Sequence, residues 1–245
     1  MSKIAVVTGA NRGLGLATSA ALARSGCTVV MTGRNGSGAG GAVSDLRAAG
    51  LPVEWQDLDV TSYESASRAA EAIGARYGRV DILVNNAGIL PEATANGGSN
   101  FVQLAAADQT LRTNVLGPLT VIEAMLPLLR RSVAGRIVNV SSTVGSLAEQ
   151  ACPGSQYYDL IVPAYQASKA ALNSVTIGLA KTLADTPIKV TSVCPGFVQT
   201  DLTPVSRQQA PLTADDAAGV VVGAALLDEA APSGTFVDAN GTVRW

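Results

Sequence analysis

Apolar residues in this chain gather into short, almost unbroken runs, and longer stretches between them repeat the apolar positions every three or four residues. The runs are Ile4 to Val7, Thr28 to Thr32, Val80 to Val84, Arg136 to Val140 and Ile188 to Val193. They are rich in β-branched residues and do not alternate with polar ones, so each predicts a strand buried on both faces. Leu14 to Arg24, Ser65 to Tyr77, Ala105 to Arg131 and Ser168 to Ala184 carry helical spacing with much Ala and Leu. Buried strands alternating with helices predict an α/β protein built on a parallel sheet covered on both sides. A right-handed βαβ progression makes that sheet doubly wound. No repeat or linker divides the chain, so residues 1–245 are expected to form one domain. The glycine-rich Gly36 to Gly41 is expected to be a loose loop entering a weak helix.

Composition narrows the chemistry. Seventeen basic and nineteen acidic residues give a net charge of -2, which offers no basic surface for nucleic acid or for an anionic membrane. No apolar run approaches the roughly 20 residues needed to span a bilayer. Ile4 to Val7 is too short for a signal-peptide core, so cytoplasmic placement is the expectation. The chain has no histidine. That removes Ser-His-Asp hydrolysis, Cys-His proteolysis and His-ligated metal sites, and no metal site is expected. Cys27, Cys152 and Cys194 are widely spaced and read as small packing residues. Acid-base work falls to Tyr, Lys, Asp or Glu.

Open parallel sheets bind ligands beyond the carboxyl ends of their strands, and marked residues fall at six such ends. Thr8 to Gly15 follows the first strand, Arg34 the second, Asp59 the third, Asn85 to Gly88 the fourth, Ser141-Ser142 the fifth and Pro195-Gly196 the sixth. In the first, Gly9, Gly13 and Gly15 would let backbone N–H groups approach a pyrophosphate at a helix N-terminus. Sites preferring NAD place an acidic residue at the end of the second strand. This strand ends Thr32-Gly33-Arg34. Arg34 with Arg12 could instead clamp a 2′-phosphate, or both could be solvated surface arginines; the expectation is NADP(H).

Tyr165-Gln166-Ala167-Ser168-Lys169 puts a tyrosine and a lysine on one helix face. A nearby ammonium would stabilise a phenolate and bring a phenol of ordinary pKa about 10 toward neutrality. Such a pair taken alone is more often a surface accident than a site. Neither Tyr157 nor Tyr158 has a lysine four residues on, so both are candidates for pocket or loop packing.

Taken in order, Thr8 to Gly15, Asn85-Asn86-Ala87-Gly88, Asn114, Ser142, Tyr165-x3-Lys169 and Pro195-Gly196 resemble the short-chain dehydrogenase/reductase family over essentially the whole chain. Gly-Ala-Asn-Arg-Gly, Thr-Gly-Arg and Pro232 to Phe236 make it most similar to the carbonyl-reductase-like members. The resemblance implies a Rossmann-like fold and reversible hydride transfer between NADP(H) and a ketone or aldehyde. It implies Tyr165 as general acid and base, with Lys169 lowering its pKa and binding the nicotinamide ribose. Ser142 would bond the substrate oxygen, and Asn114 would hold a water in a proton relay. Gly9, Asn11, Arg12, Gly13, Leu14 and Arg34 would hold the phosphates. Asp59 and Val60 would contact adenine, Asn86, Ala87 and Gly88 would line the crevice, and Pro195, Gly196, Val198 and Thr200 would enclose the nicotinamide.

Several of these positions have plainer readings. Ser141 or Ser142 could cap the next turn, Asn114 could be an ordinary helix residue before Gly117-Pro118, and Asp59 could belong to a helix start at Thr61 to Glu64. A cofactor-binding regulator without turnover is the alternative function, but it would be expected to lose Tyr165 or Lys169. A halohydrin-cleaving relative of this fold would carry arginine in place of Lys169.

The chain departs from the family in the stretch between Ser142 and Tyr165, which is longer than in many members, the extra residues falling within Leu147 to Pro163. That insertion could cover the pocket or alter a subunit surface, which leaves monomer, dimer and tetramer open. Ile89 to Asn96, Leu147 to Val162 and Leu202 to Ala210 are the candidate pocket lining. They hold no charge cluster that would select a carboxylate or phosphate, so the expected substrate is a modest apolar ketone, aldehyde or quinone.

Overall fold

A computed structural model describes residues 2–34, 39–93 and 101–245, with the side chains of 39 and 40 left aside. Eight strands form one sheet: β1 (Ile4–Thr8), β2 (Thr28–Gly33), β3 (Val53–Asp57), β4 (Ile82–Asn85), β5 (Arg136–Val140), β6 (Lys189–Val193), β7 (Thr235–Asp238) and β8 (Gly241–Thr242). Their spatial order is β3-β2-β1-β4-β5-β6-β7-β8, with every pair parallel except the antiparallel β7–β8. The helices are α1 (Gly13–Arg24), α2 (Ala39–Ala48), α3 (Tyr63–Tyr77), α4 (Leu104–Leu111), α5 (Gly117–Leu129), α6 (Leu147–Gln150), α7 (Pro163–Thr182), α8 (Pro204–Gln209) and α9 (Ala214–Ala225). Among the described residues, no helix is long and apolar enough to cross a membrane.

Alternate side chains of each central strand enter opposite cores, as the two-residue period of a strand requires. Ala5, Val7, Val29, Met31 and Val84 pack with the apolar residues of α1 and α9. Ile4, Val6, Val30, Leu83, Ile137 and Val190 pack with those of α3 and α5. All five residues of β1 are buried, which is why its sequence shows no polar alternation. Strand order reverses between β1 and β4, so the crevice for a ligand opens beyond their carboxyl ends.

The doubly wound parallel sheet predicted from the sequence is present, with differences in its parts. β7, β8 and α9 lack a strong local signal: β7 is only Thr-Phe-Val-Asp, and its burial comes from packing on β6. Helix α7 starts at Pro163, ahead of the expected Ser168, because proline suits the first helical position. The cap of α3 is Ser62, whose hydroxyl accepts from the Ser65 amide, so the Thr61 to Glu64 box does not form. Of the expected loop at Gly36 to Gly41, residues 36–38 lie outside the described residues, and α2 begins at Ala39.

The long helix expected over Ala105 to Arg131 is broken into α4, a π-turn at Arg112–Leu116, and α5. Its cause is chemical. Pro118 has no N–H to give the carbonyl of Asn114, its partner four residues back, and Gly117 bonds five residues back to Arg112.

At the far end of the sheet Arg136 is buried, and its guanidinium donates to the carbonyls of Leu227, Asp228, Gly135 and Pro187 at 2.7–3.3 Å. Burial pushes its pKa down. Arg136→Met strips these carbonyls of their donor, and is expected to cost roughly 3 kcal/mol. Urea unfolding followed by circular dichroism measures the loss.

Candidate active site

The glycine turn after β1 is built so that backbone, not side chains, faces the crevice. Gly9 and Gly13 adopt φ of +64° and +53°, a region disfavoured for residues with a Cβ. A Cβ at Gly15 would lie 2.3 Å from the Gly9 carbonyl oxygen, which requires glycine there. The N-cap of α1, Arg12, is extended and makes no capping bond, and the first turn holds no acidic residue. The orphan N–H groups and positive dipole end of α1 are therefore suited to an anion. The Leu14 side chain packs in the core, so only its backbone can serve such an anion. Asn11 is half-buried in the same turn.

Asn86 locks this turn from β4. Its Nδ2 donates to the carbonyls of Thr8 at 2.8 Å and Gly9 at 3.2 Å. The Thr8 hydroxyl accepts from the amides of Asn86 and Ala87, both at 3.0 Å. These bonds hold the two walls of the crevice at one spacing.

The expected arginine clamp is arranged differently from a simple pair. Arg34 sits exposed at the end of β2, while Arg12 donates to Asp201 at 3.3 Å. Asp201 also pairs with Arg207, which holds its carboxyl below the usual range, Arg12 adding to the effect. The glycine turn is thus tied to the segment after β6, where Thr200 lies against Gly13. Nothing local in the sequence pointed to Asp201, 189 residues from Arg12.

Asp59 spends its carboxylate on the Thr61 amide at 2.9 Å and hydroxyl at 2.7 Å, and Val60 is buried against Gly117. In the segment Pro195 to Thr200, Gly196 has φ of +84°. Val198 packs into the core, so its side chain is not a wall of the crevice.

Helix α7 brings Tyr165 and Lys169 together. Lys169 is buried; its Nζ lies 5.5 Å from the centre of the Tyr165 ring and donates to the Val140 carbonyl at 2.8 Å. Gly145 makes room for this lysine, since a Cβ there would stand 2.5 Å from the Cβ of Lys169. Burial pushes the Lys169 amine down to about 8. Burial raises the Tyr165 phenol above its ordinary value, with a smaller push from the Cys194 thiol. In the protein alone, then, desolvation sets the direction for the phenol, and the ammonium's own hydrogen bond goes to Val140. Cys194 and Tyr157 also belong to this neighbourhood, the Tyr157 phenol being raised by burial and opposed by a bond to Thr143. The sequence suggested packing for Cys194, and pocket or loop packing for Tyr157.

The adjacent serines divide their roles. Ser141 is buried, its hydroxyl bonded to Asn173 Oδ1 at 2.6 Å. Ser142 is half-buried and accepts from the Val144 amide at 3.4 Å, capping the next turn while keeping its own proton free to donate. Asn114 is buried in the π-turn; its side-chain oxygen accepts from the Ile89 amide at 2.9 Å, and its Nδ2 donates to the Ile89 carbonyl at 2.9 Å and the Ser168 hydroxyl at 3.2 Å. Its backbone carbonyl is the one that Pro118 cannot serve. Of the candidate pocket lining, residues 94–96 lie outside the described residues. The insertion forms α6 and a series of turns, held by Ala148 N–H to the Trp245 carbonyl at 3.0 Å and by Arg244 to Glu149 at 2.7 Å. Among the described residues, no group of three or more His, Cys, Asp or Glu could hold a metal.

Known proteins resemble this chain in sequence and in fold. The "Short-chain dehydrogenase/reductase 1" of Saponaria officinalis is 34% identical, covering 97% of this chain and 94% of its own. The cyclopentanol dehydrogenase of Comamonas sp. is 36% identical over 94% of this chain and 84% of its own. An NADPH-bound carbonyl reductase from chicken fatty liver superimposes with a TM-score of 0.83 at 29% identity, covering 100% of this chain and 99% of that one. The family model for short chain dehydrogenases matches residues 3–211, from the first strand to just past α8, and the chain belongs to that family.

Proposed function

We propose that this protein is an NADP(H)-dependent carbonyl reductase in which Tyr165 hands a proton to the oxygen of a ketone or aldehyde. The observation that carries the reading is the pairing of half-buried Tyr165 with buried Lys169 beside the switch-point crevice. A phenol raised by burial stays protonated near neutrality and is therefore a proton donor. The Lys169 ammonium stabilises the phenolate left after donation, and the Ser142 hydroxyl donates to the substrate oxygen as charge builds on it. Asn114, whose backbone carbonyl Pro118 cannot serve, would hold a water that returns the proton. NADPH, when bound, supplies the hydride.

The chain's own residues fit that cofactor. The first turn of α1 offers unpaired N–H groups and no opposing acid, and Arg34 stands where an NAD site would carry a carboxylate. Arg12 reaches a 2′-phosphate by exchanging its exposed bond to Asp201, at little cost, since surface ion pairs are weak. Pro195, Gly196 and Thr200 border the nicotinamide end. Three free cysteines suit a reducing, cytoplasmic setting. Exposed apolar side chains lie in the segments that follow β5 and β6, among them Leu147, Ile161, Phe197 and Val205. Together with the lack of a charge cluster in the lining, they favour a modest apolar ketone, aldehyde or quinone.

The test is oxidation of NADPH against a panel of carbonyl compounds, repeated with NADH. Turnover is expected with apolar ketones or aldehydes and a clear preference for NADPH; NADPH binding without turnover on any of them would overturn the reading. Arg34→Ala is expected to reduce the ratio of kcat/KM for NADPH over NADH by roughly 10- to 100-fold, the loss of one charge-assisted phosphate contact. An unchanged ratio would remove Arg34 from the cofactor site.

A further inference from the structure

The first turn of α7 carries Tyr165, yet its own sequence does not finish it. Its N-cap is Val162, which has no side-chain acceptor, and Pro163 at the first position has no N–H. The Gln166 amide bonds back to the Val162 carbonyl at 2.9 Å. Two orphan donors remain, the amides of Ala164 and Tyr165, and one residue takes both. Glu92, in the short 3-10 turn Pro91–Ala93, accepts from Ala164 N–H through Oε1 at 3.0 Å and from Tyr165 N–H through Oε2 at 2.8 Å. It comes from the loop that follows Asn86 to Gly88, over seventy residues away in the chain.

The other side of Tyr165 is tied to the same loop. The Ser168 hydroxyl donates to the Tyr165 carbonyl at 2.7 Å and accepts from Asn114 Nδ2 at 3.2 Å. Asn114 in turn holds both the N–H and the carbonyl of Ile89. The main chain of Tyr165 is therefore held at its N–H by Glu92 and at its carbonyl through Ser168, Asn114 and Ile89, which closes a ring with the segment from Ile89 to Glu92.

We propose that Glu92 is a positioning residue for Tyr165: its carboxylate fastens the catalytic turn of α7 to the loop after β4, so that the proton donor and the crevice wall keep one spacing. The proposal rests on Tyr165 being the proton donor described above. The negative charge also suits the positive end of α7, but capping alone would need no residue from so distant a place. Misplacing a reacting group by about 1 Å can cost on the order of 100-fold in rate, so this tie governs turnover more than cofactor affinity.

The experiment compares wild type, E92A, E92Q and E92A/V162D. In the double variant the new aspartate offers the helix a local cap without any link to the loop. For each, kcat and KM are measured on a carbonyl that the wild type reduces, NADPH Kd by fluorescence titration, and Tm by calorimetry. E92A is expected to lose roughly 10- to 100-fold in kcat, with NADPH Kd within about twofold of wild type. E92Q, which keeps one acceptor oxygen, should fall between. The double variant should regain Tm and not kcat. A kcat for E92A close to wild type, measured well below its Tm, overturns the proposal. So does recovery of kcat with Tm in the double variant, since Glu92 would then be only a cap. If E92A does not fold, E92Q decides: it must lose kcat without losing NADPH affinity. A wild type that binds NADPH but reduces no carbonyl overturns the reading of the site, and the positioning role with it. An active wild type with an indifferent E92A overturns the positioning role alone.

Discussion

Tyr165→Phe is expected to lower carbonyl reduction by roughly 10²–10⁴-fold while leaving NADPH affinity nearly unchanged. The substitution removes one hydroxyl and keeps the ring, so the packing around α7 and the contact of Lys169 Nζ with the ring face persist. What disappears is the phenolic proton beside Lys169, on a group able to hold negative charge next to an ammonium. Ser142 keeps a hydroxyl that caps the Val144 amide, but an alkoxide holds negative charge far less readily than a phenolate, so it does not replace the phenol. Steady-state kinetics on a responsive carbonyl, with a fluorescence titration of NADPH, checks both halves. Retained turnover in the variant would sink the assignment of Tyr165.

Lys169→Met is expected to lower turnover by roughly 10²–10³-fold, the usual cost of removing one oriented charge from a site, and to keep or raise Tm. The two effects have one source. The amine is buried and its pKa is pushed down to about 8 by burial. Between that value and the ordinary lysine value, the folded state binds fewer protons than the unfolded chain. Wild-type stability therefore rises with pH across that window, and near neutrality the buried ammonium is a burden to folding. Methionine has similar reach and no charge, which lifts the burden. Catalysis has the opposite sign: wild-type reduction should fall as pH climbs through about 8 and the ammonium is lost. The variant should lack that limb. Calorimetry and a pH–rate profile on both proteins test the pair of signs; a strongly lowered Tm in Lys169→Met would contradict the first.

Much of the scaffold was legible from local pattern, and particular residues show why. Strands such as Ile4 to Val7 are apolar at every position because both faces of the sheet are covered, and that requirement is written in consecutive residues. The break at Asn114 was legible in kind, since Gly117-Pro118 disturbs any helix, although only the structure shows a π-turn. β7 and α9 were missed for the converse reason: Thr235 to Asp238 is too short to show a period, and its burial depends on β6.

The site divides in the same way. Tyr165 and Lys169 are four residues apart, and helix geometry alone puts them on one face, so the pair could be named in advance. Their protonation could not, because it depends on how the fold desolvates them: in the protein alone, burial pushes the phenol up and the amine down. Arg12 was named, but Asp201 beside it was not, and Glu92 stood unnoticed in a stretch read only as pocket lining. By itself the sequence determined the strands, the glycine turn and the order of the candidate site residues, since each rests on neighbours within a few positions. Only the tertiary structure decided that Ser141 is bonded to Asn173, what holds Arg12 and what fastens the first turn of α7. Those choices are made by hydrogen bonds between residues dozens to nearly two hundred positions apart, and such bonds leave no periodic trace in the chain.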